Sequence, residues 1–201
     1  MEDGEARSKY FDPYERSILE VEATVKENGK QVPTSKKDGA LRREELRAHL
    51  MDSLHKLCTE HTTQLLKSLP GSRVLKEFYS ATASDSVASA VIAACEEGLS
   101  GESNVFEDIV GHRTIKNMIL SDAERDVPVF SQAFFEAFSE RLADVVKSNR
   151  GAFVVSALLK VPSVQGKASK KLKSMRKQIL DMSKGEGPTA GYEALAKVLS
   201  A

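Results

Sequence analysis

The sequence predicts an all-α fold, an α-solenoid of about four stacked helical repeats, and three observations carry that expectation. The first is a period. Four similar segments, GSRVLKEFY from Gly71, GHRTIKNMI from Gly111, GAFVVSALL from Gly151 and GYEALAKVL from Gly191, follow one another at 40-residue steps. The second is the placing of their apolar residues. Offsets +3, +4, +7 and +8 from each glycine give Val74, Leu75, Phe78, Tyr79; Thr114, Ile115, Met118, Ile119; Val154, Val155, Leu158, Leu159; and Ala194, Leu195, Val198, Leu199. Fifteen of these sixteen are apolar, where a 41% apolar chain predicts about six or seven. Such offsets share one side of a 3.6-residue helix, and a fixed period with one amphipathic helix per unit marks a stacked helical array. The third observation is that no stretch alternates as a half-buried strand does. Glycine costs a helix about 1 kcal/mol relative to alanine, so its return at the head of each copy implies a packing reason: closely approaching helices or a tight turn. A chance alignment within an ordinary helical bundle is the competing reading.

Residues 1–34 mix charge with Pro13, Gly29 and Pro33 and read as an arm, partly extended or disordered, with a short helix near residues 14–25 and Tyr10 and Phe11 as anchors. The repeat domain takes residues 35–201. Asp38 is the N-cap of a helix running to His61, with Leu41, Leu46, His49, Leu50, Leu54, Leu57 and Cys58 as its apolar stripe. Residues 64–68 make a short helical turn ahead of Gly71, matched by residues 144–148 ahead of Gly151. Ser84-Asp85 caps a helix over residues 86–99, with Val87, Ala90, Val91 and Ala94 inward; residues 104–110 turn into Gly111. After a connector at residues 122–129, a helix over residues 130–148 buries Phe134, Phe135, Phe138, Leu142 and Val145 or Val146. Ser148-Asn149 caps the third repeat helix, Pro162-Ser163 opens a basic helix over residues 164–182, and a loop at 184–188 leads into the last repeat.

Composition narrows the classes of function. No run of eighteen apolar residues exists to span a membrane, and the polar, acidic start of the chain reads against a secretory leader. Cys58 and Cys95 suit free, buried thiols in a reducing compartment. A net charge of zero hides a strong polarity. Residues 145–180 hold nine Lys and Arg and no acid, whereas residues 77–111 hold seven acids and no Lys or Arg. An acid-free basic block is the footprint expected for a polyanion, although a solvated face would also look so.

Catalytic patterns are weak. The glycines of SNRGAF and GESNVFED lack the Gly-Lys-Ser/Thr ending of a phosphate loop. His55, Cys58 and His61 stand at i, i+3 and i+6, which wraps too far around a helix to converge on a metal. The expectation is a protein without catalytic residues, metal or cofactor. Offsets +1, +2 and +5 lie opposite the apolar stripe and give Ser72, Arg73, Lys76; His112, Arg113, Lys116; Ala152, Phe153, Ser156; and Tyr192, Glu193, Ala196. Arg at +2 with Lys at +5 recurs in two repeats and would set a basic ladder along one face. The candidate nucleic-acid contacts are Arg73, Lys76, His112, Arg113, Lys116, Arg150, Lys167, Lys170, Lys171, Lys173, Arg176 and Lys177.

These helices resemble those of the pumilio-homology (Puf) repeat, whose second helix presents its outward side chains to RNA bases. The nucleolar Puf-A branch is the nearer likeness, carried by three stretches. They are Ser35-Lys36-Lys37-Asp38 with Arg42-Arg43 and Glu45-Leu46; Val110-Gly111-His112 with the helix after it; and Ser148-Asn149-Arg150-Gly151-Ala152 with Val154-Val155-Ser156-Ala157-Leu158-Leu159. The likeness covers residues 35–201 and makes the chain similar to the C-terminal portion of such a protein. It implies a location in the nucleus and nucleolus, binding to structured RNA such as pre-rRNA, or to DNA, with little sequence preference, and a part in large-subunit ribosome assembly beside other assembly proteins. The chain is expected to act as a monomer. Sequence-reading Puf repeats carry Asn, Ser or Cys at +1 and Gln or Glu at +5; here +5 is Lys76, Lys116, Ser156 and Ala196, which favours phosphate contact over a base code. The competing function is a protein scaffold whose groove and acidic face hold a basic assembly partner.

Overall fold

The computed structural model describes residues 24–33, 39–100 and 104–200. The chain falls into two compact units, Met1–Met51 and Asp52–Ala201.

The first unit corrects the expectation of a chain without strands. Thr24–Glu27 (β1) and Lys30–Pro33 (β2) pair as an antiparallel hairpin, with Val25 opposite Val32 and Glu27 opposite Lys30. Asn28-Gly29 is the cause. Both residues have positive φ, 50° and 77°, as the two-residue turn that matches strand twist requires, and Asn-Gly adopts it at least cost. Thr24 and Val25 are therefore strand rather than helix; residues 14–23, with the proposed anchors Tyr10 and Phe11 and the cap Asp38, lie outside the described residues. Helix α1, Gly39–Glu60, starts directly after Asp38. Its leucine stripe does not line a core throughout: Leu41, Leu46 and Leu50 are 50%, 53% and 54% exposed. Periodicity says which residues share a helix face, not what covers that face.

The second unit is helical throughout its described residues. After the end of α1 come α2 (Thr62–Lys67), α3 (Leu69–Thr82), α4 (Asp85–Ser100), α5 (Gly111–Asp122), α6 (Val129–Phe138) and α7 (Leu142–Val146). They are followed by α8 (Asn149–Leu158), α9 (Pro162–Leu172), a 3-10 turn (Lys173–Met175), α10 (Arg176–Met182) and α11 (Ala190–Ser200). The four glycine-led helices pack in succession, α3 on α5, α5 on α8 and α8 on α11. A second course runs α4, α6, α9, joined to the first by α5 on α6 and α8 on α9. Neighbours in the first course run parallel, because like ends meet. Ser80 and Ser121 hydroxyls pair at the C-terminal ends of α3 and α5, and His112 meets Phe153 at the N-terminal ends of α5 and α8.

The recurring glycine has the packing reason its sequence position implied. A Cβ on Gly71 would lie 2.9 Å from the Leu65 backbone, on Gly111 2.7 Å from the Val105 carbonyl, and on Gly151 1.9 Å from the Val145 carbonyl. The partner is the sixth residue upstream each time, so each repeat helix presses on the short segment before it. A cap three residues upstream completes the junction. Ser68 Oγ, Asp108 Oδ1 and Ser148 Oγ accept from the amides of Gly71, Gly111 and Gly151 at 3.3, 2.7 and 2.9 Å. Gly191 differs: its would-be Cβ meets the carbonyl of Asn149 in the previous repeat at 1.8 Å, and its amide donates to Asn149 Oδ1 at 2.7 Å.

Offset +4, occupied by Leu75, Ile115, Val155 and Leu195, is wholly buried in every repeat. Offset +1, expected outside, is buried too: Ser72 8%, His112 6%, Ala152 0%, Tyr192 8% exposed. Neighbouring repeats cover that flank where contacts are seen, Phe153 against His112 and the Lys147 carbonyl against the Tyr192 hydroxyl, which a single helix wheel does not register. In the second course, Phe130, Phe134 and Phe138 lie one turn apart on α6 and are buried against one another, with Phe106 edge-on to Phe138 at 5.6 Å. Burial of rings this size contributes about 1.5–3 kcal/mol each. Phe135 is not in this cluster; it lines a small surface cleft. The helix expected over residues 130–148 is interrupted by a turn at 139–141, where the Arg141 amide bonds back to Phe138. That turn re-aims α7 so that Val145 can receive Gly151. The basic helix expected over residues 164–182 is likewise three segments, since α9 packs on α6 whereas α10 packs on α11.

One buried polar cluster ties the courses together. Asp122, 0% exposed, accepts the Tyr79 hydroxyl at 2.9 Å and the Ser131 amide at 2.8 Å. The same hydroxyl accepts the Phe130 amide at 3.0 Å, and the Arg125 guanidinium bonds to the Ser80 carbonyl. Burial, with the Asp122 carboxylate beside it, drives the Tyr79 phenol well above its usual range. Cys58 and Cys95 are free and buried, and burial raises the Cys58 thiol to about 11.

Candidate nucleic-acid interface

Register between parallel helices decides where the predicted contacts stand. Arg73 and Arg113 occupy the same offset on adjacent, parallel α3 and α5, and both are exposed. Lys76 and Lys116, one turn further along, are half-buried; Lys76 lies 3.0 Å from the Glu77 carboxylate. The third repeat continues the line with Phe153 in place of arginine. Its ring stacks on His112 (centroids 6.4 Å apart, 30° between planes) and receives Lys116 Nζ 6.0 Å from its centroid. Arg150 supplies the cation that Phe153 does not, and its guanidinium is held to the Glu107 carbonyl at 2.6 Å.

His112 is thus inside this cluster rather than on its surface. Its Nδ1 meets the Asp108 carbonyl at 2.7 Å. Burial pushes its pKa below the ordinary 6.5, the bond to Asp108 opposes this, and Arg150, Arg113 and Lys116 push it further down. Three cations gathered round a neutral imidazole and a ring favour any anion that approaches them. The line ends at the fourth repeat, where Glu193 stands at +2.

The remaining predicted contacts belong to other elements. Lys167, Lys170 and Lys171 lie on α9 in the second course, Lys173 on the 3-10 turn, and Arg176 and Lys177 on α10; all six are exposed. Lys171 is ion-paired with Glu140, and Lys167 lines a cleft with Glu136 and Gln132. The predicted contacts thus fall in two groups, a ladder on the first course and a block on α9, the 3-10 turn and α10. Sequence reasoning missed Phe153 as a member of the ladder, although its offset was in view; its tie to His112 and Lys116 spans about 40 residues and leaves no local trace. Lys160 and Lys197, which share a second cleft, were also missed.

His55, Cys58 and His61 diverge: His55 Nε2 meets Ser86 Oγ at 2.6 Å, His61 Nδ1 meets Gln64 Oε1 at 2.9 Å, and Cys58 is buried. Among the described residues no group of three His, Cys, Asp or Glu side chains could hold a metal, and no helix is long and apolar enough to cross a membrane.

A family model described as the CPL (NUC119) domain matches residues 5–126, more than half of the 201-residue chain and including the first two glycine-led helices. No curated protein and no solved structure matches the chain.

Proposed function

The chain belongs to the CPL (NUC119) domain family, and from that premise we propose that it is a helical-repeat module that binds RNA, or DNA, through phosphates without reading sequence. The observation that carries this reading is the parallel stack that sets Arg73 and Arg113 at one offset on neighbouring helices, with Arg113, Lys116, Arg150 and Phe153 gathered round His112. Lysine and arginine neutralise phosphates and release counterions, whereas no repeat carries the Asn/Ser/Cys-with-Gln/Glu set that would read a base. The likeness of the repeats to Puf-A-type pumilio proteins extends the proposal to pre-rRNA as ligand, the nucleolus as location and large-subunit assembly as the process.

Affinity for a single-stranded RNA, measured at two or more salt concentrations, tests this. Each phosphate contact contributes a slope of about −0.7 in log K against log salt, so Arg73→Ala with Arg113→Ala should flatten the slope by about 1.4 and weaken every RNA sequence alike. An affinity independent of salt overturns the proposal; a changed sequence preference overturns the claim that no base is read.

A second reading has its own support. Helix α4 carries exposed Asp85 and Glu97, and residues 77–111 hold no Lys or Arg, so this side would suit a basic assembly protein. A partner retained after nuclease treatment, and lost on Asp85→Lys with Glu97→Lys, supports it.

A further inference from the structure

Where α8 and α11 meet the start of α9 there is a cleft of about 600 Å³ that takes no part in the ladder. Its apolar wall is Leu159, Ala194 and Val198; its polar groups are Ser156, Lys160, Gln165 and Lys197. Three observations mark it as a site for an anion. Lys160 and Lys197 are exposed and make no ion pair among the described residues, so two like charges border one space. Ser156 lines the same space, is 6% exposed, and has no hydrogen-bond partner among the described residues. Its hydroxyl opens into the cleft rather than being sealed in the core, so a ligand there can receive it. The volume lies within the roughly 300–1,000 Å³ of small-ligand sites, which is ample for a phosphate with a ring attached.

The place of the cleft in the repeat pattern selects the ligand. Ser156 stands at offset +5, where the first two repeats have Lys76 and Lys116. The third repeat lacks that lysine, and Lys160 in the turn after α8 and Lys197 on α11 bring positive charge to the same step. We propose that this cleft holds one nucleotide unit of a single-stranded nucleic acid, the phosphate between Lys160 and Lys197 with the Ser156 hydroxyl donating to it, and the sugar and base against Leu159, Ala194 and Val198. Lysine suits this role as a point charge, and an apolar wall accepts a ring whatever its identity. The inference rests on the RNA-binding reading and places a separate step of the strand beyond the arginine ladder.

The test uses the whole chain labelled with nitrogen-15 and titrated with uridine 5′-monophosphate, with uridine and with tetraglutamate. The monophosphate should shift the amides of Ser156, Gln165 and Lys197 at millimolar concentration, and Lys160→Gln with Lys197→Gln should weaken it about tenfold, the loss of two charge contacts. Arg73→Ala with Arg113→Ala should leave these shifts within about twofold, since the ladder lies elsewhere on the stack. Silence of these amides, or an equal response to uridine or to tetraglutamate, overturns the inference. If RNA binding stays steeply salt-dependent while the cleft stays silent, the cleft fails and the phosphate reading stands.

Discussion

The first three glycine junctions and the fourth look alike in sequence and are built differently. Gly71, Gly111 and Gly151 are each pressed onto, and capped by, residues of their own repeat, six and three positions upstream. At Gly191 those positions are Gly185 and Pro188, which can supply neither a side chain to cap with nor a short helix to press on. Asn149 of the preceding repeat takes both duties, and the Tyr192 hydroxyl adds a bond to the Lys147 carbonyl at 2.9 Å. The first three units thus carry their own helix start, whereas the last borrows it. In a linear stack, a terminal unit held mainly by its neighbour can detach without unfolding the rest.

Gly151→Ala should expose that difference most strongly. The new methyl would meet the Val145 carbonyl at 1.9 Å in mid-stack, where neither α7 nor α8 can withdraw without opening the core. We expect a loss of about 3 kcal/mol in urea unfolding, the upper end for overpacking, even after the roughly 1 kcal/mol that alanine gains in helix propensity. Gly191→Ala creates as close a clash, 1.8 Å, but α11 can swing away to relieve it. Its signature is faster amide exchange confined to Ala190–Ser200 with the global midpoint little changed. Equal global losses for the two variants would show that the fourth unit is not borrowed.

A finer cut is to remove caps instead of adding atoms. Ser148→Ala removes the acceptor for Gly151 and should cost about 1 kcal/mol of global stability. Asn149→Ala removes the acceptor for Gly191, one residue along on the same helix. A similar cost of about 1 kcal/mol should appear there as local opening of α11 alone. If exchange rises in α8 rather than α11 for Asn149→Ala, the assignment of its side chain to the neighbouring repeat is wrong.

How much of this was legible follows the same divide. The period, the +4 core and a packing reason for the glycines were open to a reader of the sequence, because each is repeated and each depends on residues within one unit. What depends on a neighbouring unit was hidden. The burial of His112 and Tyr192 at +1, and Asn149 capping α11 rather than α8, are set by the helix stacked alongside. Asp122 fell in an expected connector because its partners, Tyr79 and Ser131, lie 43 and 9 residues away. The hairpin is another case: Asn28-Gly29 was a sufficient local signal, and Gly29 was read only as a breaker. For the site, Arg73 and Arg113 were found by offset, whereas Phe153, Lys160 and Lys197 became visible only once α5, α8 and α11 were set side by side.

The smallest expected effect, on pH, probes the middle of the stack, where one repeat's histidine depends on the next repeat's charges. Unfolded, His112 takes up a proton near pH 6.5; folded, it resists until lower pH, because burial and the cations Arg150, Arg113 and Lys116 disfavour the charged ring. Between those two values the unfolded chain binds more protons, so stability is full above about pH 6.5 and declines as pH falls through the window. His112→Gln should remove that portion of the decline, and unfolding at pH 7.5 and 5.5 for both proteins measures it. A phosphate strand laid on Arg113 and Arg150 reverses the sign, since an anion beside the ring favours its protonated form. Binding at pH 6 should then draw protons from solution in the parent protein and fewer in His112→Gln, measurable as a buffer-dependent heat. Proton release on binding would mean that the strand does not pass this cluster.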